Sequence, residues 1–229
     1  MTLSCNICGS TDFKPFGAKP RTNALCVKCN SLERHRALHY LLNASGFLEN
    51  RLGVSRCLQL APEKVTHDYL VKAYGSGYIP ADLFPQKYKH AQCVKLRLPE
   101  GFEIFPNGYF DLIVHNHVLE HIPGSFKSHI DEFHRLLTKD GVMAFTIPDG
   151  PIQRGVKETL EGGENLATDE DRLRVHGQED HYKTFGTDLI EYIQGKFAKF
   201  EALLLNESDL KKSLRANHNA FGVVFWCVK

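Results

Sequence analysis

Four cysteines near the start of this chain constrain it more than any other feature. They fall as Cys5-Asn-Ile-Cys8 and Cys26-Val-Lys-Cys29, two C-x2-C pairs with seventeen residues between them. Each pair makes a tight turn that presents two sulfurs to one centre, and the spacing is that of a zinc site. Four thiolates complete a tetrahedral shell and leave no position for a substrate, so the predicted zinc is structural. Gly9 after Cys8, and Asn30 after Cys29, suit the positive φ angles of such turns. Two alternatives use the same residues. A redox or disulfide pair would normally follow a strand in a thioredoxin-like setting, and an iron centre could take the same ligands. Cys57, Cys93 and Cys227 stand singly in apolar runs and are expected in the core.

The chain has 229 residues, 42% hydrophobic and 24% charged, enough for one mid-sized domain with its own core plus a small appendage. A formal net charge of +1 gives no broad field for nucleic acid or an anionic membrane. No apolar run approaches the roughly 20 residues of a membrane span. The N-terminus lacks the basic-then-apolar pattern of a signal peptide. The expectation is a cytoplasmic protein with reduced thiols, a small-molecule substrate and no membrane partner. The oligomeric state is not readable.

The predicted organisation is a ribbon over residues 1–30, a connecting helix within 31–53 and an α/β body over 54–229. Ser31 is the predicted N-cap of a helix reaching Leu42, with Glu33 in its first turn, Leu38, Leu41 and Leu42 on one stripe, and Gly46 as its stop. Arg34, His35 and Arg36 face either a cleft or solvent. Strand and helix signals then alternate. Strands are predicted at 56–61, 78–82, 93–96, 110–116 and 142–147, with helices at 65–74 and 126–137. This rhythm argues for a parallel sheet covered by helices. Residues 149–186 break it and read as a long irregular segment, a lid or a substrate loop. A helix at 188–197 and strands at 200–205 and 222–227 close the chain, suggesting an antiparallel end to the sheet.

In open α/β sheets, ligands bind beyond the carboxyl ends of the central strands. Three such ends here are polar. They are Leu60-Ala-Pro-Glu63, then Asp82, nineteen residues after Glu63, and His115-Asn116-His117 leading into Val118-Leu-Glu-His121. An acid about 20 residues past the first turn is placed to hold a ribose diol.

The run Phe110-Asp-Leu-Ile-Val-His-Asn-His-Val-Leu-Glu-His-Ile-Pro123, followed by Glu132-Phe-His-Arg-Leu-Leu-Thr-Lys-Asp-Gly141, resembles the fourth and fifth motifs of class I S-adenosylmethionine-dependent methyltransferases of the small-molecule type. The segments Ser31–Arg36, Gly177–Tyr182 and Phe185-Gly186 resemble a bacterial subgroup with a zinc ribbon before that fold. The resemblance implies a Rossmann-like, seven-stranded, mostly parallel sheet and S-adenosylmethionine as cofactor. It implies that Leu60, Ala61, Pro62 and Glu63 pass under the methionine part. Asp82 and Leu83 would then hold the ribose, Lys95 and Leu96 would flank the adenine, and Asn116 and His117 would lie beside the methyl donor. The sequence departs from the family at its first motif. Gln59 stands where an acid is usual, and Ala61, Glu63 and Val65 stand where glycines are usual. Lys95 replaces the acid of the third motif.

Methyl transfer to oxygen or nitrogen often needs a base, and histidine suits that work near neutral pH. The candidates are His117, His121 and His181, with Glu179 and Asp180 as orienting groups. His117-x-x-Glu120-His121 also matches the H-x-x-E-H pattern of some zinc proteases, but Pro123 would cut short the helix that pattern needs. Two other readings stay open: an RNA methyltransferase whose ribbon touches RNA, and a catalytically silent fold used for binding.

Overall fold

The computed structural model describes residues 4–17, 21–44, 55–203 and 223–229. Gly46, the predicted end of the 200–205 strand and Gly222 lie outside them. A two-stranded antiparallel ribbon comes first, β1 (Phe13–Phe16) against β2 (Arg21–Cys26). Then follows α1 (Glu33–Ala44). The body runs β3 (Cys57–Leu60), α2 (Lys64–Tyr74), β4 (Tyr78–Asp82), β5 (Val94–Lys95), β6 (Phe110–Asn116), α3 (Phe126–Leu136) and β7 (Leu137–Thr146). It continues with α4 (Gly150–Gln153), α5 (Asp169–His176), α6 (Thr187–Lys196), β8 (Lys199–Leu203) and β9 (Val224–Val228).

The second sheet has seven strands in the order β5-β4-β3-β6-β7-β9-β8. The five strands from β5 to β7 are parallel to one another, and β9 runs antiparallel between β7 and β8. This is the Rossmann-like sheet of class I methyltransferases. Its switch point lies at β3, where the chain goes first to β4 on one side and later to β6 on the other.

Local chemistry explains the elements. Along β6 every residue from Leu112 to Asn116 is buried, as a strand covered on both faces requires. In α3 the apolar positions Phe126, Ile130 and Phe133 recur at helical spacing, and Ser125 caps the helix by accepting the Lys127 N–H. Gly75, with φ +52, closes α2 by donating its N–H to the Val71 carbonyl. The strand β7 starts at Leu137, ahead of the predicted Val142. Its pairing with β6 skips residues 138–141, where the register shifts.

Helices cover both faces of the sheet. One core cluster joins β6 and β7 to α3 and α6 through Phe110, Phe133, Phe145, Leu189 and Ile193. The other joins the opposite face to α1 and α2 through Leu38, Leu42, Leu70, Leu112 and Trp226. The helix predicted as a connector is therefore also a layer of the body: Ala37, Leu38, Leu41 and Leu42 all belong to the second cluster.

Two sequence expectations need correction here. Ser31 is not a helix cap. The helix starts at Glu33, and the Leu32 N–H donates to His35 Nδ1 at 3.1 Å, three positions on. Ser31 instead turns its hydroxyl toward the cysteine cluster. Cys93 is not a core residue, because β5 is an edge strand and leaves it partly exposed; Cys57 and Cys227 are buried.

The segment 149–186 is more ordered than its composition suggests. It holds α5, capped by the Thr168 hydroxyl, which accepts the Asp171 N–H, and ended by Gly177 at φ +81. Thr168 and Gly177 were visible start and stop signals. The helix between them is almost entirely polar, so no apolar periodicity announces it. No helix among the described residues is long and apolar enough to cross a membrane.

Candidate functional site

The first turn after β3 sets the floor of a cavity of about 400 Å³ at the carboxyl ends of the parallel strands. Ala61 holds a left-handed conformation, φ +48, where the family pattern has a glycine. That places its small side chain and backbone on the cavity wall beside Leu60. Asp82, at the end of β4, lines the same cavity. Its Oδ1 accepts the Phe84 N–H at 2.7 Å and its Oδ2 accepts the Tyr88 hydroxyl at 3.1 Å. The carboxylate is thus fixed, with lone pairs left for a diol. Burial, together with the adjacent carboxylate, pushes the Tyr88 phenol well above its ordinary pKa, so it stays a donor. Leu96 and Leu98 supply apolar wall, and His117, Val118 and Ile122 close the far side.

A second cavity, about 380 Å³, adjoins the first. The two share His117 and His121 on their walls. Phe16 and Arg21 of the ribbon side, Glu33 and Arg34 of α1, and Gln178 and His181 of the long segment complete the second one. His117 sits at φ +52 after β6, with its N–H donated to the Thr146 carbonyl. Its Nδ1 lies 3.3 Å from Glu120 Oε1. Three hydrogen bonds help hold the long segment here, two of them to the body. Tyr182 N–H donates to the Glu120 carbonyl at 2.8 Å, Gly163 N–H donates to the Tyr182 carbonyl at 3.1 Å, and the Lys183 ammonium donates to the Ile122 carbonyl. Burial lowers the Lys183 pKa to about 8. It also lowers that of His181, outweighing the opposing pull of Glu120, and keeps the imidazole neutral near pH 7.

A methyltransferase-domain family model matches residues 64–188, more than half of the chain. The chain belongs to the methyltransferase-domain family. Among solved structures, it is similar to an S-adenosylmethionine-dependent methyltransferase from Archaeoglobus fulgidus, at TM-score 0.56 and 14% identity, covering 86% of this chain and 94% of that one. It is also similar to the CurJ carbon methyltransferase, at TM-score 0.53 and 12% identity, covering 87% of this chain and 55% of that one. At these identities the likeness speaks for the fold. A search of curated proteins finds no match.

Of the residues expected around a methyltransferase cofactor, Leu60, Ala61, Asp82, Leu83, Leu96 and His117 line the first cavity. Pro62, Glu63, Lys95 and Asn116 do not. Pro62 is buried and its carbonyl accepts from His90 at 2.8 Å. Lys95 points to solvent from the edge strand. Glu63 is turned away toward α1, where it pairs with the Arg34 guanidinium and with His35 Nε2 at 2.6 Å. Asn116 is spent inside the same joint: its amide donates to Glu63 at 2.9 Å, and its carbonyl accepts the Thr146 hydroxyl at 3.1 Å. The joint also answers the question about Arg34 to Arg36, since none of the three faces bulk solvent freely. Of the candidate catalytic groups, His181 lines the second cavity and Asp180 the first. Glu179 is exposed, and only its carbonyl is engaged, by Arg172.

Sequence reading missed Tyr88, Phe84, Val118 and Tyr182 in the first cavity, and Glu120, Arg21 and Phe16 in the second. Tyr88 had a signal of a kind, as the aromatic six residues past Asp82. Phe16 and Arg21 had none, because nothing local says where the ribbon will lie.

The four predicted cysteines come together. Their sulfurs all lie within 4.8 Å of one another, with Cys5–Cys29 at 3.7 Å and Cys8–Cys26 at 3.6 Å. Tetrahedral zinc at about 2.3 Å from each sulfur would set them about 3.8 Å apart. Gly9 and Asn30 take the expected positive φ, +72 and +57. Arg36 lies buried beneath the cluster, bonded to the Ser31 and Ala24 carbonyls, with one guanidinium N–H left unpartnered. A four-thiolate zinc centre carries an excess of two negative charges, so a buried cation there fits it.

Proposed function

We propose that this chain transfers a methyl group from S-adenosylmethionine to a small-molecule acceptor, such as a sugar or a natural-product intermediate, and that its four cysteines hold a structural zinc. The observation that carries the reading is the pair of adjoining cavities with His117 and His121 on their shared wall. The first has an anchored acid and apolar flanks, which suit a nucleoside. The second, at about 380 Å³, has the size of a small-molecule site and a rim of polar groups.

S-adenosylmethionine, when bound, supplies an electrophilic methyl on a sulfonium. Asp82 accepts the ribose hydroxyls, Leu96 and Leu98 shelter the base, and Ala61 lets backbone approach the ligand. His117 takes the acceptor's proton. With Nδ1 directed at Glu120, its Nε2 is the free lone pair, and the Glu120 carboxylate stabilises the imidazolium that forms. Asp180 steadies the shared wall, where its carbonyl faces His121 Nδ1 at 2.8 Å. In-line alignment of acceptor and methyl across the boundary between the cavities accounts for the remaining catalysis.

Calorimetric titration with S-adenosylmethionine and S-adenosylhomocysteine tests the cofactor. Binding is expected, and Asp82→Ala should weaken it roughly 10- to 100-fold, the loss of one or two charge-assisted hydrogen bonds. Wild-type protein that binds neither ligand would refute the enzyme reading. Labelled methyl transfer to hydroxylated small molecules and to RNA, side by side, tests the acceptor class, with transfer only to RNA the outcome against it.

A further inference from the structure

Glu120 has no evident structural reason to be where it is. Its side chain is fully buried, yet among the described residues no hydrogen bond reaches either carboxylate oxygen. The His117 imidazole stands beside it, with Nδ1 3.3 Å from Oε1. A buried, ionised carboxylate without partners is costly unless something positive completes its surroundings.

Two further imidazoles stand around it. Donor atoms of Glu120, His121 and His181 all lie within 4.8 Å of one another. The His121 and His181 rings meet edge to face, 4.8 Å between centroids. His121 Nδ1 lies 2.8 Å from the Asp180 carbonyl, so that nitrogen carries the proton and Nε2 keeps its lone pair. A ligating histidine is commonly oriented in this way, through its other nitrogen and a backbone carbonyl. His181 is delivered by the Tyr182–Glu120 backbone bond, from a segment about sixty residues away in sequence. All three residues line the second cavity.

We propose that Glu120, His121 and His181 bind a divalent first-row transition-metal ion, separate from the four-cysteine centre. Two imidazoles and one carboxylate are the donor set of open zinc and iron(II) sites, which keep positions free for exogenous ligands. The free positions face the second cavity. If that cavity takes the acceptor, as proposed above, the ion binds an oxygen of it, a hydroxyl or a carboxylate. His117, whose Nδ1 lies 3.3 Å from Glu120 Oε1, then remains the base and is not a ligand. Asp180 and Glu120 between them orient both histidines of the shared wall.

The test is a titration of zinc-loaded protein with cobalt(II), followed by calorimetry and by visible absorption. One equivalent should bind, giving d–d bands without thiolate-to-cobalt charge transfer. His181→Ala and His121→Ala should each weaken uptake at least about 10-fold, while His134→Ala, on α3 against Phe197, should leave it unchanged. No uptake beyond the ribbon zinc overturns the proposal. So does uptake that carries thiolate absorption, or uptake indifferent to both histidine variants. Far-ultraviolet circular dichroism checks that the variants fold. Should His181→Ala not fold, His121, with its side chain 32% exposed, decides the matter alone. Because the readout is metal uptake, failure of methyl transfer would leave this result standing, and failure of metal uptake would leave methyl transfer standing.

Discussion

The ribbon and the sheet solve the same problem by different means. In the ribbon, β1 is exposed along most of its length, and β2 buries only Ala24 and Cys26. Too little apolar surface is hidden there to offset the cost of ordering the chain. What the ribbon has instead is four sulfurs at contact distance around one point. The sheet has no need of a metal. Its two faces each bury a continuous cluster, and Phe110, Phe133 and Phe145 are wholly inside. The ribbon's order should therefore rest on one centre, and the body's on many small contacts.

Removing the centre is the most severe way to test that contrast. Zinc contributes on the order of 10 kcal/mol or more to folding such a segment. Cys26→Ser, or a strong chelator, should abolish protection of the ribbon amides from hydrogen exchange while β3 to β7 stay protected. Metal analysis should fall by one zinc per chain. Loss of protection across the whole sheet would mean that the two regions fold as one unit and that the contrast is wrong.

The complementary experiment strikes the body. Phe133 is buried between Phe102, edge-on at 5.0 Å, and His115, stacked at 5.1 Å. Phe133→Ala should cost about 3–5 kcal/mol in urea unfolding monitored by Trp226 fluorescence. Retained stoichiometric zinc in the folded fraction would show that the ribbon does not depend on this side of the core.

A smaller effect is expected where the two regions are joined. Glu63 of the body ties to Arg34 and His35 of α1. Burial works to raise its pKa, but the His35 imidazole and the Arg34 guanidinium beside it prevail and hold the carboxyl far below the ordinary 4.5. A folded-state pKa below the unfolded one means that this stabilisation is complete above about pH 4.5 and drains away as the pH falls further. Glu63→Gln should cost about 1–2 kcal/mol at pH 7, the scale of one charge-assisted hydrogen bond. It should also flatten the acid limb of a stability-against-pH curve below pH 4.5. An unchanged acid limb would show that the joint carries no electrostatic load.

How much of this was legible follows from the same contrast. The clustering of the four cysteines was readable because they come in two local turns, and Gly9 and Asn30 mark those turns. The strands β4 and β6 match their predicted bounds, because both are mostly buried and largely apolar, with polar residues at their carboxyl ends. That Asp82 ends β4 on the wall of the first cavity was readable from its place at the carboxyl end of a predicted strand. What escaped was everything made by distant segments meeting. Glu63 stood in a glycine position of the first motif and invited a cofactor role, but its partners come from α1. Asn116 likewise went to that joint. The grouping of Glu120 with His181 depends on how residues 149–186 fold back, and that segment carries no periodicity to announce it.

The least expected departure at the first motif offers the finest test. Ala61 sits at φ +48, which a Cβ makes unfavourable by roughly 1 kcal/mol. Its N–H still donates to the Ala81 carbonyl at 3.1 Å, so the turn is held by the sheet and not by residue preference. Ala61→Gly removes the strain but gives the unfolded chain more freedom, worth about 0.4–1 kcal/mol in the other direction. The net change in stability should be within about 0.5 kcal/mol of zero, with Gly never costing as much as a mid-strand replacement. If Ala61→Gly instead destabilised the protein by more than 1 kcal/mol in urea unfolding, the methyl group would be a packing element of the floor. The body would then depend at this one turn on a single side chain, much as the ribbon depends on its sulfurs.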